Sequence, residues 1–246
     1  MKSFGMAISL AFTIMIGSSI FAPNQVLASE KLVVSAIEGS SILIRIGKEV
    51  MTSAYGRIGK QIEFLDLPGK RAVVMANKGG SDAELIRSIR ASKVYPNLIR
   101  IPVLVVSDEM AAYSINNNKK ISSPKDLAPF VTGFRRGSTI PTKMTKGMNF
   151  IEFDSLKQGI DMLKRKRIDI MLYFKTSLDS VVNGNNFDSQ IHQISDKLRV
   201  IKLYHYVHKR NKHLVPSLEK ALKEMTKSGE KQSIIDRIIA RGAQNS

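Results

Sequence analysis

A small set of side chains has the types and neighbours to hold a polar ligand. Four are arginines. Arg87 closes the run "DAELIR", Arg100 leads into "IPVLVVS", and Arg135 and Arg136 lie in "GFRRGST". A guanidinium offers a planar fork of donors that meets a carboxylate or phosphate with two parallel bonds. Gly137, Ser138 and Thr139 follow directly after a strand-like run, where backbone N–H groups and hydroxyls can add to an anion site. Glu38 and Ser40 come just after the first β-type run, Glu84 sits inside "DAELI", and Tyr173 closes "RIDIMLYF". The chemistry the arginines and the turn after the strand suit is capture of an anionic solute. Arg90, in a loop-like stretch, reads as solvated.

Other chemistries find less support. The chain has no cysteine, which excludes disulfides, thiolate metal sites and a thiol nucleophile. His205 and His208 fall in a β-like run where a three-residue step points them to opposite faces, and Lys209, Arg210 and Lys212 would repel a cation, so no metal is expected. No nucleophile elbow, HExxH or P-loop is present, and no cofactor is implied. The basic run "KRKR" at 164–167 reads as the charged end of a helix. It has no interleaved aromatic residues, so nucleic-acid binding is not expected.

The elements that position these residues alternate. "KLVVSAI" reads as a strand, and Leu43, Ile46, Val50, Ala54 and Ile58 recur at helical spacing before Gly59. "QIEFLDL" alternates as a strand, Pro68 can open a second helix, and "NKGG" suits its end. "DAELI" and the apolar "LIRIPVLVVS" are further strands. This β-α-β-α-β order implies a mainly parallel sheet, whose ligands sit beyond the carboxyl ends of its strands. After the polar "INNNKK" the rhythm restarts. Ser123 and Pro124 open a helical turn, and "FVTGFR", "NFIEF" and "RIDIMLYF" read as strands. Ser155 and Gln158 form a capping box, and "SLDSVVNG" is a short helix stopped at Gly184. "LRVIKLYHYVHK" returns as one or two strands before two closing helices.

The chain opens with Lys2, the apolar run Met6 to Ile16 and the small residues of "VLA", the pattern of a secretory leader cut after Ala28. Without cysteine a lipoprotein is excluded, so a periplasmic or secreted soluble protein is expected. The net charge of +17 favours anionic partners as well as solubility.

"RAVVMANKGGSDAELIR", the leader, "SPKDL", "FRRGST", "LKQGIDMLKRKRIDIMLY" and "LVPSLEKALKEMTKSGE", taken in this order, resemble the bacterial family 3 extracellular solute-binding proteins. The resemblance spans the mature chain. It implies an α/β, two-lobed periplasmic-binding-protein-like fold, each lobe a mainly parallel sheet flanked by helices, joined by a two-strand hinge. Residues 29–114 and 204–246 would form the first lobe and 115–203 the second, closing on a small ligand. It also implies a non-catalytic binding protein that delivers its solute to an ABC-type membrane permease; a sensor kinase is an alternative partner, and, with no interface marked in the sequence, a monomer is expected. Amino-acid binders of the family hold the ligand carboxylate with an arginine near Arg100, and with the hydroxyl and N–H site matched by Ser138 and Thr139. Their amine-binding Asp is replaced here by Tyr173 and Phe174, which turns the expected ligand from an α-amino acid to an anionic or aromatic one. Asp169 is expected to be structural. A dehydratase-like enzyme on the same scaffold is the alternative. It would need Glu38 or Glu84 as acid or base.

Overall fold

The computed structural model describes residues 1, 31–39, 41–182 and 190–244. The leader, Ser40 and the helix stop at Gly184 lie outside the described residues.

The first run of elements is β1 (Leu32–Ile37), α1 (Ile42–Arg57), β2 (Ile62–Leu67), α2 (Gly69–Asn77) and β3 (Ala83–Ser88). β1 lies between β2 and β3 and is parallel to both. Its side chains alternate between faces, so Val34 and Ala36 join one buried layer while Ser35 is buried on the other side. α1 buries Ile42, Leu43, Ile46, Val50 and Ala54 along one stripe, and Gly59 (φ 68) lets the chain leave it. Each such aliphatic side chain contributes about 2 kcal/mol when fully buried.

A short helix α3 (Ala91–Val94) leads into β4 (Leu98–Ser114). The sequence predicts a strand ending near Ser107; β4 runs seven residues further because "DEMAAYS" has partners in the second lobe. That lobe comprises β5 (Thr132–Arg135), α4 (Thr139–Met144), β6 (Phe150–Phe153), α5 (Leu156–Lys164), β7 (Ile170–Phe174) and α6 (Lys175–Val182). A two-residue strand, β8 (His192–Gln193), pairs with β4. The chain then returns through β9 (Arg199–His208) to α7 (Val215–Lys227) and α8 (Glu230–Gln244). One curled sheet results, in the order β2-β1-β3-β9-β4-β7-β5-β6. The triplets β2-β1-β3 and β7-β5-β6 are parallel. β9 and β4 are antiparallel to each other and to the flanking strands β3 and β7, so the sheet is mixed.

The core follows the period-two pattern. In the second lobe Phe134, Ile170 and Leu172 pack on one face with Ile121 and Leu127, while Phe153, Ile168, Met171 and Leu163 pack on the other. Gly159 of α5 makes the second layer possible, since a Cβ there would lie 2.7 Å from the Phe153 ring. α5 ends in a tight turn: the Lys166 N–H donates to the Leu163 carbonyl at 3.1 Å and the Arg167 N–H to the Met162 carbonyl at 2.8 Å. Lys166 takes φ 55 and is the one non-glycine with positive φ among the described residues. A glycine would be about 1 kcal/mol more favourable there.

Polar atoms in the first-lobe core are matched individually. The His205 Nδ1 lies 3.0 Å from the Leu85 carbonyl and its Nε2 2.9 Å from the Tyr55 hydroxyl. A carbonyl only accepts, so Nδ1 carries the hydrogen and Nε2 accepts from Tyr55. Asp82 ties the start of β3 to its surroundings, accepting from the Val33 N–H at 2.9 Å, Asn211 at 3.0 Å and Arg210 at 2.7 Å. Burial alone would raise its carboxyl pKa, and these bonds outweigh it and hold the carboxyl low.

The β4–β9 ladder is broken where Pro102 lies, with register shifts between Arg100 and Leu104 and between Leu104 and Val106. Proline donates no hydrogen bond, and such a residue enters a central strand only at a bulge. The Leu104 carbonyl accepts from the Lys231 ammonium of α8 at 2.9 Å. Half-burial of that ammonium lowers its pKa.

Two outcomes are expected. Burial pushes the His205 pKa down to about 4, from an unfolded value of about 6.5. The unfolded chain therefore takes up the proton first, so stability is full above about pH 6.5 and falls by about 3 kcal/mol as pH drops toward 4. Urea unfolding across that window should lose this slope in His205→Gln. Lys231→Met removes the ammonium bond to the Leu104 carbonyl and should cost about 1 kcal/mol of unfolding free energy.

Candidate functional site

The strand directions decide where a ligand can sit. β4 runs parallel to β3 through their shared partner β9, so its later residues move toward the carboxyl end of the first triplet. β7 is antiparallel to β4, with Phe174 opposite Met110 and Met171 opposite Tyr113. The carboxyl end of β7, and with it those of β5 and β6, therefore points back toward the first lobe. The two sets of strand ends face each other across the middle of β4 and β9, which is the place where open α/β sheets bind ligands.

On the second-lobe side the structure brings Arg135 and Tyr173 together. Their strands are parallel neighbours, with Gly133 opposite Met171, so two residues on Arg135 is level with Tyr173 and on the same face. Tyr173 stacks on Phe153 with ring centroids 6.4 Å apart. Burial raises the Tyr173 hydroxyl pKa and the nearby Arg135 charge offsets part of that rise. Arg135 is exposed and enters no ion pair among the described residues. Arg136 is different: its guanidinium meets Asp154 at 2.8 Å and Glu152 at 3.2 Å. Gly137 (φ 76) turns the chain into Ser138, which caps α4 without using its hydroxyl. The backbone of Thr139 opens that helix.

On the first-lobe side the charges turn inward. Arg87 donates from Nε to Glu84 at 2.6 Å and from a terminal nitrogen to the Gly69 carbonyl at the start of α2. Glu84 is fully buried, also accepts from the Ser35 hydroxyl at 2.8 Å, and the Arg87 side chain is only 19% exposed. Burial raises the Glu84 carboxyl pKa above the usual range, while Arg87 and Ser35 offset part of the rise. Glu84 is thus withdrawn from solvent. Arg100 lies level with Tyr206 and Glu84, below the carboxyl end of the sheet, and its guanidinium sits 4.7 Å from the centroid of the Tyr204 ring. Glu38 is exposed just beyond β1, its N–H bonded to the Leu67 carbonyl at 2.9 Å.

Asp108 is a residue that sequence reasoning passed over. It lies in the middle of β4, is buried, and accepts from the Thr176 N–H in the first turn of α6 at 2.9 Å. α6 in turn lies against α1 and α8 of the first lobe. The visible signal was an acid inside the apolar run "VLVVSDEMAAY". A groove of about 560 Å³ between α1, β2 and α8 lies apart from the strand ends. Its charges bridge one another or close neighbours, in the pairs Lys48–Asp66, Arg237–Glu49 and Arg57–Glu230.

No family model matches the chain. An uncharacterized protein of Shewanella oneidensis is 26% identical over 186 residues, covering 73% of this chain and 70% of that protein. Among solved structures, the amino acid ABC transporter substrate-binding protein AbpA from Streptococcus pneumoniae, bound to L-arginine, superimposes with a TM-score of 0.64. Its identity is 14%, over 87% of this chain and 95% of that one. A histidine kinase sensor domain with similarity to periplasmic binding proteins gives a TM-score of 0.62 at 11% identity, over 85% and 95%. The fold is therefore that of the two-lobed periplasmic binding proteins.

Removing Arg87 strands a buried carboxylate. Arg87→Met should cost about 3 kcal/mol in urea unfolding, and adding Glu84→Gln should restore most of it. An equal loss in both variants would mean that the pair is not coupled.

Proposed function

We propose that the protein is an exported, non-catalytic solute-binding protein. It closes two lobes, hinged on β4 and β9, around a small polar solute that carries a carboxylate. One observation carries this reading: two facing sets of strand ends, with the exposed and unbridged Arg135 beside Tyr173 on one of them. The lobes divide where β4 and β9 pass between them. Arg135, Tyr173 and the Ser138 hydroxyl form the second-lobe wall, and Glu38 stands at the rim of the first. The solute-binding role of AbpA supports the class of function. Its ligand, L-arginine, also bears a carboxylate, but with Tyr173 and Phe174 at the end of β7 where amino-acid binders of the family carry an Asp, this site favours a ligand without a second cation. The sensor domain with the same fold supports a second reading, in which the closed form reports to a membrane kinase rather than a permease.

Thermal shift of the purified protein tests the proposal with L-arginine, L-glutamine, an aliphatic dicarboxylate and an aromatic carboxylate as probes. A carboxylate at a hundred times its Kd should stabilise by about 2.7 kcal/mol. Arg135→Glu should abolish the shift without lowering the unliganded melting temperature. A larger shift with L-arginine than with the carboxylates overturns the anionic preference. No shift with any small solute overturns ligand capture.

A further inference from the structure

The turn that ends α5 carries Lys164, Arg165, Lys166 and Arg167, all exposed. The helix dipole accounts for cations in the last helical turn. It gives no reason for a lysine in the left-handed position of Lys166, where glycine is favoured. A residue kept in an unfavourable conformation at the surface points to a use for its side chain.

The same pole exposes apolar surface. Phe150 and Ile151 are 44% and 38% exposed on β6, the edge strand of the sheet. Ile151 lines a shallow groove with Met162, Arg165 and Arg167, so the apolar and basic groups are contiguous. Two carboxylates, Glu152 and Asp161, also line it. Glu152 is bridged by Arg136, which leaves Asp161 against the cations of the turn. Phe150, Thr132 and Ile170 are level in the sheet, so this surface lies at the amino ends of β5, β6 and β7, opposite the cleft.

We propose that this pole docks on an anionic phospholipid membrane. The basic turn would meet the headgroups, and Ile151, which lines the same groove, would enter the interface. Charge complementarity selects the occupant. The chain's +17 is spread over its length, and an extended anionic surface rewards diffuse charge in a way that a shaped protein partner does not. No helix among the described residues is long and apolar enough to cross a membrane, so contact by the folded part is peripheral. Docked this way, the cleft faces away from the bilayer.

Cosedimentation with vesicles tests this, using the purified full chain at low salt. Binding is expected to vesicles of equal parts phosphatidylglycerol and phosphatidylcholine, and not to phosphatidylcholine alone, with release at high salt. Lys166→Gly should weaken binding about fivefold while melting no lower than the parent. Adding Arg165→Gln and Arg167→Gln should bring the loss to about a hundredfold. Ile151→Ser should weaken the binding that remains at intermediate salt. The proposal is overturned by absence of binding to the anionic vesicles. It is equally overturned if binding is unchanged in the triple variant but lost in Arg90→Gln/Lys93→Gln, which alters the exposed basic stretch beside Ile89 and Val94 in the first lobe.

Discussion

The molecule depends on the ladder between β4 and β9. These two strands are the covalent passage between the lobes, and they also form the centre of the sheet. Every parallel triplet is attached through them, β3 to β9 on one side and β7 to β4 on the other. Their direction sets which way the strand ends point, and so where a ligand can lie. The break at Pro102 lets the ladder bend without stranding a donor, and the Lys231 ammonium of α8 bonds the Leu104 carbonyl beside it.

Around this ladder the first lobe is fixed by polar contacts as much as by apolar packing. Tyr55, His205 and the Leu85 carbonyl join α1, β9 and β3. Ser35, Glu84, Arg87 and the Gly69 carbonyl join β1, β3 and the start of α2. Asp82 joins the amino ends of β1 and β3 to the turn after β9. Buried polar groups of this kind tolerate few alternative arrangements, because each leaves some donor or acceptor unpaired. The second lobe contrasts with this. Its two layers are largely hydrocarbon, and Asp169 ties the amino ends of β5 and β7 together by accepting from the Val131 N–H at 3.0 Å.

The alternation of helices and strands was legible because each element carries its own period. The stripe of α1, the proline that opens α2 and the glycines that close both are local signals. The site was less legible. Arg87 and Glu84 are three residues apart, a spacing that puts side chains on opposite faces of a regular strand. A register shift between them brings the two together, and nothing in "DAELIR" announces it. The level of Arg100 depends on Tyr206 and Tyr204, supplied by a strand about a hundred residues later. Arg135 and Arg136 are adjacent and chemically equal. Only the strand pairing of β5 with β6 distributes acids to one and leaves the other open. Long-range register decided each of these outcomes.

The position of β9 between β3 and β4 also has a meaning in time. During synthesis β3 and β4 are made early, yet they do not pair with each other. The strand that joins them emerges only after the whole second lobe. Until then the parallel triplet β2-β1-β3 lacks the strand that joins it to β4 and both closing helices, whereas the second lobe, contiguous in sequence, has most of its partners at hand. Assembly must run from the inner segment outward, with the non-local closure last and slowest.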